Sequence, residues 1–450
     1  MSKSANSRMA LFFMFFWFLL GGIHTPFWQN WLKNEGLSPS QIGIIIGSAP
    51  FLRPFLGLII AWVVDTYGSR KWLISALCFS SAAVFALYPV THGFTAWLLI
   101  SLIWAQLIWT ASSLFTSMIT ITTQRQEAER PSVLNIFIYG LISLLAVGML
   151  SYFYSHNDYA SWADLLIIVI VAICGIVTIL NSFLAPKADY GRLRLWGTIG
   201  TISGVTYMSY FLFSQDYDGS SIMVKTLIFG MVILGIIALF LPNIRTDKTY
   251  HERPPVIKLL RERPIVILLI IAILLQGSHG MLYSQASNYW QEQGLDFSSI
   301  GKFWAFGNVG ELILFTVGWI FYKNFRACYI LCFAGIAGAI RWSLLSIYND
   351  EINIIFVAMM LHGFTYALGH LGAMYWIERH IPENLTASMQ TLYTSVVFGV
   401  GIGLNMILAG FYYEYLSGQI AWLIMAAMAA LAAVMTLWLD RYKNWSLKEV

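Results

Sequence analysis

Charge is scarce in this sequence. Of its 450 residues only 11% are Asp, Glu, Lys or Arg, while 58% are hydrophobic; soluble domains carry roughly 25% charged residues. That shortage excludes an ordinary water-soluble globule, because most of the surface must face lipid. Cysteine is scarce too. Cys78, Cys174, Cys328 and Cys332 all lie in apolar segments without metal-ligand spacing, which leaves packing as their role and predicts no metal site. No phosphate-binding GxxxxGK[ST] stretch occurs, and the loops are too short for a nucleotide-binding domain, so ATP is not the expected energy source. HExxH, paired intramembrane aspartates and a Ser-His dyad at useful spacing are all missing. We therefore expect no catalytic residues and no cofactor, with a membrane-embedded enzyme or sensor as the remote alternative.

What the chain has in abundance is long apolar runs. Fourteen segments are long enough to cross a hydrocarbon core of ~30 Å: 9–33, 41–64, 72–91, 95–122, 133–154, 163–186, 195–214, 222–242, 265–290, 300–322, 327–348, 352–376, 388–412 and 418–439. Lipid offers no partner to open backbone groups, so these must be helices. The expected fold is all-α and polytopic.

Charge sets the orientation. With the N-terminus inside, 21 of the 26 Lys and Arg residues fall in inside segments, and the positive-inside rule puts both termini in the cytoplasm. The net charge of +4 reflects that bias and predicts no nucleic-acid partner. The first apolar run lacks a small-residue cleavage site and reads as a permanent span. Residues 243–264 form the longest polar stretch. They read as a cytoplasmic linker between an N-terminal bundle, 1–242, with about eight spans, and a C-terminal bundle, 265–450, with six.

An internal repeat supports two bundles. Gly36-Leu37-Ser38-Pro39-Ser40-Gln41-Ile42-Gly43 returns, at an offset of 258, as Gly294-Leu295-Asp296-Phe297-Ser298-Ser299-Ile300-Gly301. Duplicated halves of this kind build many secondary transporters. Simple duplication gives six spans and six, so the first half carries an additional pair, either 133–186 or 195–242. The spacings Gly43/Gly47, Gly200/Gly204 and Gly399/Gly403 permit close helix approach.

The few polar groups at depth are the functional candidates. Glu311 is the one acidic residue well inside a span, Arg53 and Arg341 are the buried cations, and His24, His279, His362 and His370 are the other titratable groups. A charge at that depth is costly unless paired or functional. The repeat offset sets Arg53 opposite Glu311. Glu311 is expected to couple transport to protons, with Arg341 or Arg53 as its charge partner or as anchor for a substrate carboxylate; the bland alternative is a Glu-Arg pair that only locks two helices. His279 and His370 are further proton-coupling candidates. His362 and His370, eight residues apart, are too distant to share one small ligand. Trp304, Trp342, Tyr283 and Tyr366 lie near these charges, and aromatic walls beside one guanidinium suit a small aromatic acid.

Several stretches resemble a known family. Ala61-Trp62-Val63-Val64-Asp65-Thr66-Tyr67-Gly68-Ser69-Arg70-Lys71 is similar to the cytoplasmic loop between the second and third helices of the major facilitator superfamily, which implies a gating role for Asp65, Gly68, Arg70 and Lys71. Pro26-Phe27-Trp28, Asp189 through Gly197, Leu274 through His279, Glu311, Ile340-Arg341-Trp342, and Leu361-His362 through His370-Leu371 resemble the 3-phenylpropionate and cinnamate permeases, relatives of lactose permease and nucleoside-proton symporters. The resemblance implies a two-bundle transporter of twelve spans plus the additional pair, about 14 in all. It places Tyr190-Gly191-Arg192 before the fifth family helix, which makes 133–186 the insertion. Where the family tends to carry an acidic residue late in its fourth helix, this chain has Ser117.

The resulting expectation is a multi-pass secondary transporter of the cell membrane, bacterial inner membrane by resemblance, working as a monomer. Its substrate would be a small aromatic carboxylate moved with protons by alternating access. A sugar or nucleoside symporter and a drug exporter are the alternatives within the class.

Overall fold

The structure, a computed structural model, describes residues 3–67, 70–125, 190–214, 219–241 and 256–447. The predicted spans 133–154 and 163–186, Cys174, Gly68 and most of the 243–264 linker lie outside these residues. Every regular element among the described residues is helical. In chain order these are α1 (Lys3–Asn34), α2 (Pro39–Tyr67), α3 (Arg70–Phe85), α4 (Phe94–Arg125), α5 (Tyr190–Ser214) and α6 (Gly219–Ala238). The second half holds α7 (Arg263–Gly277), α8 (Gly280–Glu292), α9 (Phe297–Asn324), α10 (Ala327–Ile347), α11 (Ile352–Met360), α12 (Gly369–His380), α13 (Glu383–Tyr393), α14 (Ile402–Tyr415) and α15 (Gly418–Asp440). Seven stretches among the described residues are long and apolar enough to cross a membrane: Arg70–Val90, Phe94–Thr116, Arg263–Glu292, Ala327–Ile347, Ile352–His380, Ser388–Tyr415 and Gly418–Asp440.

The repeated octapeptide is a helix corner. At its start, Gly36 has φ +88° and Gly294 φ +85°, a left-handed conformation that L side chains avoid. Gly36 N–H then reaches Lys33 O at 2.9 Å and Leu37 N–H reaches Leu32 O at 3.2 Å. Gly294 and Leu295 bond Gln291 O and Trp290 O in the same way, at 3.0 and 3.1 Å. These bonds close the last carbonyls of α1 and α8. The following residue starts the next helix. Ser38 N–H donates to Gln41 Oε1 at 3.1 Å, and Asp296 Oδ1 accepts from Ser299 N–H at 2.8 Å, two solutions to the same N-terminal capping problem.

The described residues form two compact units. Unit 1 contains Met1–Trp28, Ile59–Thr246 and Asp296–Val309; unit 2 contains Gln29–Leu58, Asp247–Leu295 and Gly310–Val450. The boundary cuts α1, α2 and α9.

Inside unit 1, α5 lies directly against α1, with Gly200 and Gly204 facing the backbones of Phe15 and Leu19; a Cβ on Gly22 would strike the carbonyl of Thr201. Inside unit 2, a Cβ on Gly280 would strike the carbonyl of Asn405 in the same manner. The two glycines are 258 positions apart, but their partners are separated by about 204. The contact on α5 thus stands to Gly22 as the contact on α14 stands to Gly280, with a separation between the two partners shorter than the repeat offset by 54 residues.

Unit 2 also ties the first repeat to the second. Ser287 N–H donates to Gln29 Oε1 at 3.0 Å, and these residues are 258 apart, so each meets its own repeat counterpart. Asn30 Nδ2 donates to Gln291 Oε1 at 3.0 Å, Lys33 pairs with Glu292 at 2.8 Å, and Glu414 Oε2 accepts from Ser40 N–H and Ser38 Oγ, both at 2.8 Å. Beneath this polar layer Gly43 and Gly47 of α2 pack on the backbone of Met406 and Gly403. All three GxxxG spacings are therefore helix contacts.

Three of the predicted spans are irregular within. The span predicted at 265–290 is two helices, broken at Ser278–His279. Two other spans each contain a π-helical turn, Gly363–Leu368 and Thr394–Gly401. Turns of this kind shift side-chain register and are frequent at functional sites.

Candidate functional site

The helix break builds the site. Because α7 stops at Gly277, the carbonyls of Leu275 and Gln276 lose their normal partners in the next turn. The His279 ring covers both, with Nδ1 at 3.2 Å from each oxygen. Ser278 donates to Leu275 O at 2.7 Å and accepts from Trp342 Nε1 at 3.0 Å. The break thus fixes a histidine on one side and anchors α10 on the other.

Arg341 of α10 is fully buried beside it. Its Nη1 donates to Thr365 Oγ1 at 2.9 Å and faces His362 Nδ1 at 3.0 Å, while Nη2 reaches Met359 Sδ at 3.4 Å. The guanidinium also lies 4.2 Å from the centre of the Trp342 ring, which stacks on Trp422. The planar, delocalised cation is thus held by soft and neutral acceptors together with an aromatic face. The opposing charge is Glu311 of α9, buried, with Oε2 4.0 Å from His362 Nε2.

Thr365 joins the parts. Its Oγ1 is 3.1 Å from His279 Nε2 and 3.2 Å from His362 O. The line Glu311–His362–Arg341–Thr365–His279 therefore runs across four helical segments of unit 2. Aromatic rings close around it. Tyr283 stacks on His279 at 5.8 Å and Tyr366 on His362 at 5.4 Å. The Trp342 ring stands edge-on to His279 at 5.1 Å.

Of the residues expected from sequence, Glu311, His279, Arg341, Trp342, Tyr283 and Tyr366 come together here. His370 stands one step away: its Nδ1 is 3.3 Å from Tyr393 Oη, and Phe398 lies between it and Tyr366. Trp304 falls in the other compact unit. Arg53 is on α2 with an exposed side chain, so Arg341 is the buried cation of the cluster. Of the expected gating residues, Arg70 opens α3 and is buried, Lys71 lies 5.2 Å over the Trp72 ring, and Asp65 lies in the last turns of α2.

Sequence reasoning misses two residues of the site. It marks His362 as titratable without placing it in the cluster, and it passes over Thr365. The signal is a polar stripe at 362, 365 and 366, the i, i+3, i+4 spacing that puts side chains on one helix face. Among the described residues no His, Cys, Asp or Glu group could hold a metal ion.

Comparison with known proteins bears on this arrangement. The model of the MFS_1 like family matches residues 7–424. A "Probable 3-phenylpropionic acid transporter" of Escherichia coli (strain K12) is 24% identical over 425 residues, covering 93% of this chain and 94% of that protein. An "Uncharacterized transporter YwbF" of Bacillus subtilis (strain 168) is 21% identical over 253 residues, 56% of this chain and 63% of that protein. Among solved structures, the nucleoside transporter NupG superposes with a TM-score of 0.71 at 15% identity, covering 98% of this chain and 100% of NupG.

Proposed function

The chain belongs to the MFS_1 like family, a membrane transporter of the major facilitator type, and from that premise we propose a proton-coupled symporter of a small aromatic carboxylate. Arg341 and the rings of Trp342, Tyr283 and Tyr366 would receive the substrate. Glu311, His279 and His370 would serve proton coupling. The name of the E. coli relative supports this substrate class. The observation that carries the reading is Arg341, wholly buried in unit 2, with Glu311 across His362 as its counter-charge.

Coupling follows from charge. The resting cluster holds one cation and one carboxylate. A second carboxylate leaves an excess negative charge in the membrane, which costs about 3 kcal/mol or more. One proton restores neutrality, so anion and proton each favour the other by roughly 100-fold. That mutual preference is symport.

The neutral-substrate alternative fares worse. Gln276, Gln285, Asn288, Asn308 and Asn405 are the amides that would read a sugar or nucleoside, and each spends one of its two N–H donors on a backbone carbonyl: Tyr366, Pro39, Gln29, Trp304 and Gly401. Their oxygens remain as acceptors.

The test is uptake into proteoliposomes under an imposed pH gradient, with aromatic acids, sugars, nucleosides and dyes as candidates. Glu311→Gln should abolish uphill accumulation of the aromatic acid while sparing counterflow. Undiminished accumulation in that variant would leave a Glu-Arg pair that merely fixes helices. Both termini are proposed to be cytoplasmic, and the span count is proposed to be twelve plus the pair 133–186.

A further inference from the structure

We propose that Thr365 is a positioning residue whose hydroxyl lets His279 gain and lose a proton with no heavy atom displaced, so that His279, and not His362, changes charge during transport. The inference rests on the proton-coupled reading above and names the group that carries the proton.

The argument is one of donors and acceptors. His279 Nδ1 faces only two carbonyl oxygens, Leu275 O and Gln276 O, both at 3.2 Å. Carbonyls accept, so Nδ1 carries a proton in every state and a neutral ring leaves Nε2 bare. Nε2 faces Thr365 Oγ1 at 3.1 Å. A hydroxyl has one proton and can accept twice. It already accepts from Arg341 Nη1 at 2.9 Å.

Two complete arrangements exist. With His279 neutral, Thr365 donates to Nε2. With His279 protonated, Nε2–H donates to Oγ1, and the hydroxyl proton turns to His362 O at 3.2 Å. Both nitrogens of His279 face a matching donor or acceptor in either state, and the Thr365 Oγ1–His362 O contact carries a hydrogen only in the second.

His362 has no such freedom. Its Nδ1 sits 3.0 Å from Arg341 Nη1, and a guanidinium only donates. A proton on Nδ1 would set two N–H donors against each other at that distance, and a ring protonated on both nitrogens would add a second cation beside the guanidinium. His362 is therefore held neutral with its proton on Nε2, facing Glu311 Oε2 at 4.0 Å.

The groups around His279 explain the coupling. Arg341 approaches from α10 across Thr365, His362 and Tyr366 from the segment that carries Thr365, and Tyr283 from α8. Glu311 stands behind His362 on α9. Arg341 opposes a second cation. Glu311 and an arriving carboxylate offset it, so the proton enters onto Nε2 with the anion and leaves with it.

The test compares Thr365→Val, which keeps the shape and removes the hydroxyl, with Thr365→Ser, which restores it, using 3-phenylpropionate in proteoliposomes. Thr365→Val should lose pH-driven accumulation about tenfold or more and flatten the pH profile of uptake. Thr365→Ser should stay close to wild type. A second pair reads the same claim independently: His362→Asn, whose oxygen can still accept from Arg341, should keep accumulation that His279→Asn loses.

Wild-type accumulation in Thr365→Val, or equal impairment in Thr365→Ser, overturns the role of the hydroxyl. So does loss of coupling in His362→Asn with retention in His279→Asn. A Glu311→Gln variant that still accumulates substrate, beside a Thr365→Val variant that does not, would sink the assignment of Glu311 and leave this one standing. Wild-type uptake indifferent to the pH gradient would overturn both.

Discussion

A single arginine organises the site. Arg341 is surrounded by acceptors that carry no full charge, and only a planar fork can serve His362 Nδ1, Thr365 Oγ1 and Met359 Sδ together while lying over Trp342. Arg341→Lys keeps the charge but supplies one compact ammonium. Losing a hydrogen bond to a charged group is worth about 1.5–3 kcal/mol, so this variant should raise KM for the aromatic acid roughly tenfold or more, measured by initial uptake rates. An unchanged KM would mean that charge alone is required. The sequence made Glu311, Arg341 and His279 legible because a charge or imidazole stands out against apolar neighbours. Thr365 did not stand out. A hydroxyl in an apolar helix usually bonds its own preceding carbonyl, as Thr110 and Thr394 do here, and only the fold reveals that this one is shared between two side chains.

At the scale of elements, the octapeptide repeat encodes a stop and a start. Two of its repeated letters are a left-handed glycine and a closing leucine, while the caps that follow use different residues in the two copies. Gly36→Ala tests the first of these in isolation. Nothing lies within 4 Å of a Cβ built there, so the whole cost, about 1–2 kcal/mol, is conformational. Gly22→Ala tests the opposite case, since its backbone is helical and its Cβ meets the Thr201 carbonyl. Overpacking should cost about 1–3 kcal/mol. Thermal unfolding in detergent should show both losses, and a compensating large-to-small change on α5 should not rescue Gly22→Ala because the obstacle is backbone. What the apolar runs could not disclose was the break at Ser278–His279 and the π turn at 363–368. Both leave hydropathy unaltered, and both depend on what packs alongside.

For the molecule as a whole, the scarcity of charge was the most readable fact. It identified a membrane protein, and the loop bias gave an orientation that a reporter fused to either terminus can check: both fusions should report the cytoplasm. The polar layer of Lys33, Glu292, Glu414 and the two serines would then lie at the outer end. Lys33 and Glu292 are both partly exposed, so their pair is worth little in static stability, ~0–1 kcal/mol. Lys33→Ala should therefore leave thermal stability nearly unchanged. Hydropathy counts spans without saying which are equivalent, so the choice of 133–186 as the additional pair came from the family resemblance; the 54-residue difference between the Gly22–Thr201 and Gly280–Asn405 separations is in keeping with it.

The most direct measurement is proton uptake by the purified protein. In weakly buffered detergent solution at pH 7, addition of 3-phenylpropionate should draw about one proton from solution for each anion bound, and Glu311→Gln should bind the anion without that uptake. Binding of the anion by the wild-type protein with no change in solution pH would contradict the coupling of proton and carboxylate at this cluster.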